Sequence, residues 1–196
     1  MPEYVVLLDE QGQAGGVAEK SLVHTTDTPL HLAFSCYVFD SDSRLLVTQR
    51  AVDKTSFPGI WTNSVCGHPA PDESLPDAIR RRAEFELGLS LAEVWLVLPQ
   101  FSYRAEAADG LVEHEMCPVY FTVLPGGADT TVTPRGDEVE AATWVPWTTF
   151  RDEVLSGERP ISPWCRTQVG MLAGRGDDPG TWTAADPALL PAAARA

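Results

Sequence analysis

The sequence predicts a mixed α/β fold in a single domain, and three observations carry that expectation. β-prone apolar runs recur along the chain, each too short to be a buried helix. Three other stretches carry helical patterning or helix-start signals. The 196 residues suffice for one ordinary domain, and 44% hydrophobic with 21% charged residues is a globular composition that can bury a core without cross-links.

Tyr4 to Leu8 reads as the first strand, with Gly12 and Gly15-Gly16 marking a hairpin turn behind it. Leu32 to Phe39 is apolar and β-prone, and the polar Asp40-Ser41-Asp42-Ser43 turn separates it from Leu45 to Gln49. Phe57-Pro58-Gly59 breaks the chain, and Trp61 to Val65 reads as a short strand ending at Cys66-Gly67. The helix Leu75 to Leu87 is the best signalled: Ser74 caps it, Asp77 completes a capping box, Pro76 suits the first turn and Gly88 closes it. Val94 to Leu98, Met116 to Leu124 and Val139 to Val145 are further strands; Trp147 to Leu155 and Ser162 to Ala173 are further helices. After Gly174 the composition turns to Gly, Asp, Pro and Ala. Residues 1–174 are therefore expected to form the domain, and 175–196 a tail that is loose or held by Trp182 alone.

Charge narrows the function. With 28 acidic against 14 basic residues the net charge is -14, so a general nucleic-acid binder would be repelled by its target. An anionic ligand would need positive charge gathered locally, and half the basic residues fall in one stretch: Arg44, Arg50, Lys54, Arg80, Arg81, Arg82 and Arg104. No apolar run is long enough for a bilayer and the N-terminus lacks a secretory pattern, so a cytoplasmic protein without a membrane partner is expected. Cys36, Cys66, Cys117 and Cys165 form no C-x-x-C pair, which fits reduced thiols better than a zinc ribbon or a disulfide framework.

The chemistry-bearing residues sit in three segments: His24 to His31, Asn63 to Pro69 and Val112 to Pro118. In a strand, Glu113 and Glu115 project to one face and His114 to the other. Two carboxylates on one face repel unless a cation lies between them. His24, His31, His68, Glu113 and Glu115 would together satisfy one divalent transition metal, although any one histidine alone is more often an ordinary surface or core residue. Cys66 reads either as a small packed residue or as a thiol beside a ligand. On the first helix, Leu75, Ile79, Arg82 and Glu86 share one stripe. Arg82 and Glu86 are then either an ion pair at the core edge or groups facing a phosphate and a cation.

Gly67 to Leu89 resembles the Nudix box, G-x5-E-x7-R-E-U-x-E-E-x-G-U, through Gly67, Glu73, Arg81, Glu86, Gly88 and Leu89. Arg82 and Phe85 stand where Nudix hydrolases have metal-clustering glutamates. The departures, together with W-T-N-S-V-C-G-H-P (Trp61 to Pro69), Phe101 to Ala105, Glu113 to Pro118 and Ser162-Pro163-Trp164, are similar to type I isopentenyl-diphosphate Δ-isomerases, over roughly Tyr4 to Gly174. His114 departs from that pattern, where asparagine is expected, on the outward face of its strand.

The resemblance implies a Nudix-type mixed β-sheet sandwiched between helices, and interconversion of isopentenyl and dimethylallyl diphosphate through a carbocation-like intermediate. It implies Cys66 and Glu115 as the groups flanking the isoprenoid, Tyr103 as the relay to that glutamate, and Trp164 as the aromatic face toward the cation. Trp164 also reads as a core plug on its own helix. The metal ligands implied are His24, His31, His68, Glu113 and Glu115, for one Mn, Zn or Fe ion. Lys20, Arg50, Lys54 and Arg82 are implied for the diphosphate, with Glu86 holding its Mg²⁺. A monomer or weak dimer acting on a small isoprenoid diphosphate is expected. A Nudix pyrophosphohydrolase and a silent binding domain are the competing readings.

Overall fold

In the computed structural model, which describes residues 3–127 and 130–195, the chain begins with a hairpin of β1 (Tyr4–Leu8) and β2 (Ala14–Glu19). A single helical turn, α1 (Lys20–Val23), and the two-residue β3 (His31–Leu32) follow. Then come β4 (Phe34–Phe39), β5 (Arg44–Arg50), β6 (Trp61–Thr62), β7 (Val65–Gly67) and the helix α2 (Leu75–Leu87). The remaining elements are β8 (Trp95–Leu98), β9 (Ser102–Glu106), β10 (Val112–Met116), β11 (Val119–Val123), β12 (Val139–Pro146), α3 (Trp147–Ser156) and α4 (Pro163–Leu172).

Side-chain alternation sets the layers. Along β4, Phe34, Cys36 and Val38 enter one core with Ile79 and Leu87 of α2, while Tyr37 and Phe39 enter the other with Phe150 of α3 and Val169 of α4. The seven-stranded sheet, with central order β12-β5-β4-β11-β8, is thus the expected mixed sheet between helices: β4 and β11 run parallel and its other pairs antiparallel. A second sheet, β2-β1-β3-β10-β9, lies beside it.

Two expected strands cross between these sheets. Leu32 to Phe39 divides at Ala33 into β3 and β4, and Met116 to Leu124 divides at Cys117-Pro118, leaving Met116 as the end of β10 and Val119–Val123 as β11. The crossovers are tied to each other, because Ala33 N donates to Met116 O (2.9 Å) and Ser35 N to Pro118 O (3.2 Å). Gly15 and Gly16 belong to β2 rather than to the turn; the register skips Gly15, which makes it a bulge. The turn itself is Asp9–Gln13, held by the Asp9 side chain on the backbone N–H groups of Gln11 and Gln13 (2.9 Å each).

The looseness expected after Gly174 is not found. Trp182 packs edge-on against Phe39 and Trp147, with ring centroids 5.4 Å apart in each case. Leu190 and Ala194 are buried in the α2 core, and Ala185 N donates to Leu96 O (2.7 Å). Asp178 and Asp186 each cap a 3₁₀ turn through a following backbone N–H, so the Asp-Pro pairs were start signals inside an uninformative composition. Pro191 closes on the first hairpin so tightly that a Cβ at Gly12, where φ is +72°, would lie 3.0 Å from Pro191 Cβ. No helix among the described residues is long and apolar enough to cross a membrane.

Candidate active site

One cavity of about 410 Å³ takes lining residues from both sheets, from α2 and from the start of α4. Strand parity explains its chemistry. Glu113 and Glu115 share a face of β10, and Tyr103 lies opposite Glu115 in β9. The parallel pairing of β10 with β3 sets His31 directly against Glu115. His68 arrives from the end of β7 and His24 from the end of α1.

His24, His31, His68 and Glu115 offer donor atoms that all lie within 4.8 Å of one another. His31 Nε2 is 3.2 Å from His68 Nε2, and His68 Nε2 is 3.0 Å from Glu115 Oε1. His31 Nδ1 lies 2.9 Å from Pro29 O, which turns Nε2 toward the cluster. His24 Nε2 and His68 Nδ1 are buried with no protein partner. Burial holds His24 uncharged by pulling its pKa down to about 4, and burial lowers His68 too. On His31 burial is outweighed by its hydrogen bond to Glu115, and the pKa is raised. Three imidazoles, those of His24 and His68 pushed toward the neutral form and each with an orphaned ring nitrogen, and one carboxylate form a donor set suited to a divalent transition metal.

Glu113 stands beside this group rather than in it. Its Oε1 accepts from Ser56 Oγ (2.6 Å) and its Oε2 from Tyr103 OH (2.7 Å). The same phenol lies 2.9 Å from Glu115 Oε2, so one proton serves two carboxylates. Burial and the neighbouring Glu115 charge raise the Glu113 pKa. Burial also works against ionised Glu115, but hydrogen bonds from His31 and His68 outweigh it and hold the carboxyl well below its usual range. His114 points away from the carboxylates, with Nδ1 3.3 Å from Thr28 O.

Cys66 lines the cavity from β7. Asn63 Nδ2 is committed to Cys36 O (3.2 Å) and Val65 O (3.1 Å), so its Oδ1 must accept, and the Cys66 thiol donates to it at 3.1 Å. Burial pushes that thiol up to about 11. Trp164, 2% exposed in the first turn of α4, packs against Tyr103 at 5.5 Å and edge-on to Phe57 at 5.2 Å between ring centroids. It therefore plugs the core and lines the cavity at once.

The cavity wall also carries cations. Arg50 Nη2 donates to Ser56 O (2.9 Å), which presents the guanidinium to the cavity from β5. Lys20 pairs with Glu3 at 2.6 Å. Arg82 Nε donates to Glu86 Oε1 (2.8 Å), so the helix stripe is an ion pair and also part of the cavity wall. Burial opposes charge on Arg82, but Glu86 and Glu138 outweigh it. Burial raises Glu86 in spite of Arg82, whereas hydrogen bonding and charge from Lys54 and Arg82 overcome burial at Glu138 and lower it. Glu138 was not singled out in the sequence, because it precedes β12 in a loop without periodicity; Asp137-Glu138 just before an apolar run was the only signal. Phe85, at the second departure from the Nudix box, is 43% exposed and lies between the Arg82 and Arg135 guanidinium carbons, 5.2 and 4.3 Å from its ring centroid.

A NUDIX domain family model matches residues 29–165. The chain is 53% identical to the isopentenyl-diphosphate Delta-isomerase of Saccharopolyspora erythraea, over 98% of this chain and 97% of that one. It is 47% identical to the protein of the same name from Rhizobium rhizogenes, over 99% of this chain and 91% of that one. Among solved structures, a protein from Deinococcus radiodurans matches with a TM-score of 0.64 at 16% identity, covering 86% of this chain and 98% of that one. The MutT protein of Methanosarcina mazei matches with a TM-score of 0.57 at 16% identity, covering 74% and 94% respectively. At these identities the structural likeness speaks for the fold alone.

Proposed function

The chain belongs to the NUDIX domain family and, through its near-full-length relatives, to the isopentenyl-diphosphate Delta-isomerases, and from that premise we propose that it interconverts isopentenyl and dimethylallyl diphosphate. One observation carries the reading: Cys66 and the Tyr103–Glu115 pair, from different sheets, line one cavity together with Arg50, Lys54 and Arg82. That is a proton-exchanging region joined to an anion-binding region, with an alkene and a diphosphate to match. Net charge of -14 makes the local basic cluster necessary for such an anion.

The reaction adds a proton at one alkene carbon and removes one from another, so each turn needs one protonated and one unprotonated group beside the chain. Burial keeps the proton on Cys66, while the histidines keep Glu115 ionised, so the two sites begin in complementary states. Proton transfer across the alkene exchanges those states, and proton exchange with water after product release restores them for the next turn. Tyr103 places its single hydroxyl proton between Glu113 and Glu115, so it can pass a proton to Glu115 while staying bonded to the pair. Trp164, backed by Phe57, helps exclude water and offers the cavity a π face without a basic lone pair, which suits a tertiary carbocation. His24, His31, His68 and Glu115, with Glu113 adjacent, would hold one divalent metal such as Mn, Zn or Fe, and Glu86 would hold Mg²⁺ on the diphosphate. The metal at the histidine site would supply Lewis acidity that strengthens the acid form of the carboxyl. Arg50, Lys54, Arg82 and Lys20 bind the diphosphate in this reading.

Incubation of the metal-loaded protein with isopentenyl diphosphate and Mg²⁺ should give dimethylallyl diphosphate by ¹H NMR, without phosphate release. Hydrolysis products in place of the rearranged alkene would favour a pyrophosphohydrolase and sink the proposal. The metal assignment has its own check. Protein loaded with Zn²⁺ or Mn²⁺ and dialysed should retain about one equivalent by elemental analysis, as one four-donor cluster requires. His68→Ala should lose most of it, and unchanged metal content in that variant would remove the site.

A further inference from the structure

We infer that Glu138 is a positioning residue for the diphosphate end of the cavity, holding Lys54 and Arg82 side by side on one carboxylate oxygen. The inference rests on the isomerase reading of that cavity. Glu138 Oε2 accepts from Arg82 Nη2 at 3.0 Å and from Lys54 Nζ. Two cations on one wall repel each other, and a shared anion between them offsets that repulsion. Glu86 lies one turn along the same helix as Arg82 and so constrains the guanidinium only along α2. Glu138 comes from a different element and draws Arg82 toward Lys54, which places the two donors where one diphosphate can meet both.

Its own backbone is fixed by the elements it joins. Thr133 N donates to Leu87 O and Arg135 N to Glu86 O, each at 2.8 Å, which binds the loop to the last turn of α2. Ala51 N donates to Glu138 O (3.0 Å), and Lys54 N donates to Ala51 O (3.2 Å). One short loop thus brackets both cation-bearing segments. A carboxylate beside a diphosphate site is costly through direct repulsion, so its position there calls for an organising role that outweighs that cost.

The sign of the effect decides the matter. If Glu138 only repels the diphosphate, removing it tightens binding; if it positions the cations, removing it weakens binding. Glu138→Ala should raise the KM for isopentenyl diphosphate and the inhibition constant of inorganic diphosphate together, by about tenfold or ~1.4 kcal/mol, with kcat changed less than about threefold. Glu138→Gln keeps an acceptor oxygen and should recover part of that loss. In a Lys54→Ala background, Glu138→Ala should cost less than it does alone, because the two act through one contact. Calorimetric binding of inorganic diphosphate reads the same effect without turnover, so failure of the wild-type protein to isomerise its substrate would sink the functional reading and leave this inference separately testable. Unchanged or tighter diphosphate binding in both variants, additive effects with Lys54→Ala, or a fall in kcat at constant KM would each overturn it. Should Glu138→Ala not fold by thermal melting, Glu138→Gln decides alone: weaker diphosphate binding supports the role and unchanged or tighter binding overturns it.

Discussion

Cys66→Ala is expected to retain the fold and lose isomerisation by on the order of 10³-fold, which is the middle of the range for a single proton-transfer group. That corresponds to about 4 kcal/mol of transition-state stabilisation. The fold should survive because no buried polar group is orphaned. Asn63 Oδ1 keeps its bond from Thr62 Oγ1 (3.1 Å), and Ser35 Oγ keeps those with Gln168 Nε2 (3.0 Å) and Cys117 Sγ (3.4 Å). The removed sulfur leaves a gap that opens onto an existing cavity, so the stability cost should stay near ~1 kcal/mol. The checks are a steady-state assay and a thermal melt on the same preparation. Turnover within tenfold of wild type would make Cys66 a packing residue and leave the cavity without its second proton-exchanging group.

What was legible in the sequence followed from periodicity and local chemistry. α2 was read to the residue because Ser74, Pro76, Asp77 and Gly88 mark both ends, and Gly88 adopts the left-handed φ of +66° that its closing role requires. The shared face of Glu113 and Glu115 followed from strand parity alone. Strand pairing was not legible, since an apolar run such as Leu32 to Phe39 looks the same whether it stays in one sheet or crosses at Ala33 to another. β9 escaped as a strand because its half-exposed Ser-Tyr-Arg-Ala-Glu pattern is polar. The convergence of His24, His31 and His68 came from joint occurrence in three segments, and only tertiary pairing brings them together around Glu115. Glu138 had no such companion pattern, and its partners lie 56 and 84 residues away in sequence.

Glu115→Gln should have the largest effect of any single change, about 10⁴-fold or more on turnover, because Glu115 belongs to both the proton pathway and the metal cluster. The amide matches the carboxylate in shape and can still accept from Tyr103, so the cavity should persist. It cannot exchange a proton with the alkene, and it is a weaker ligand. Two further measurements separate these losses. Metal content, read by elemental analysis, reports the ligand role. Tyr103→Phe leaves all four clustered donors in place and removes only the phenol, so it should retain metal while slowing turnover. The metal-free protein adds a pH signature. The folded-state pKa of Glu115 is depressed, so its contribution to stability is present above the ordinary carboxylate pKa and is lost as the pH falls through the lowered one. The gap in Tm between wild type and Glu115→Gln should therefore narrow on acidification, and a gap constant across the acid range would contradict the hydrogen bonding from His31 and His68 to an ionised Glu115. Turnover of Glu115→Gln within tenfold of wild type would remove Glu115 from the chemistry altogether, because no amide can take the place of a group that must gain and lose a proton in each cycle.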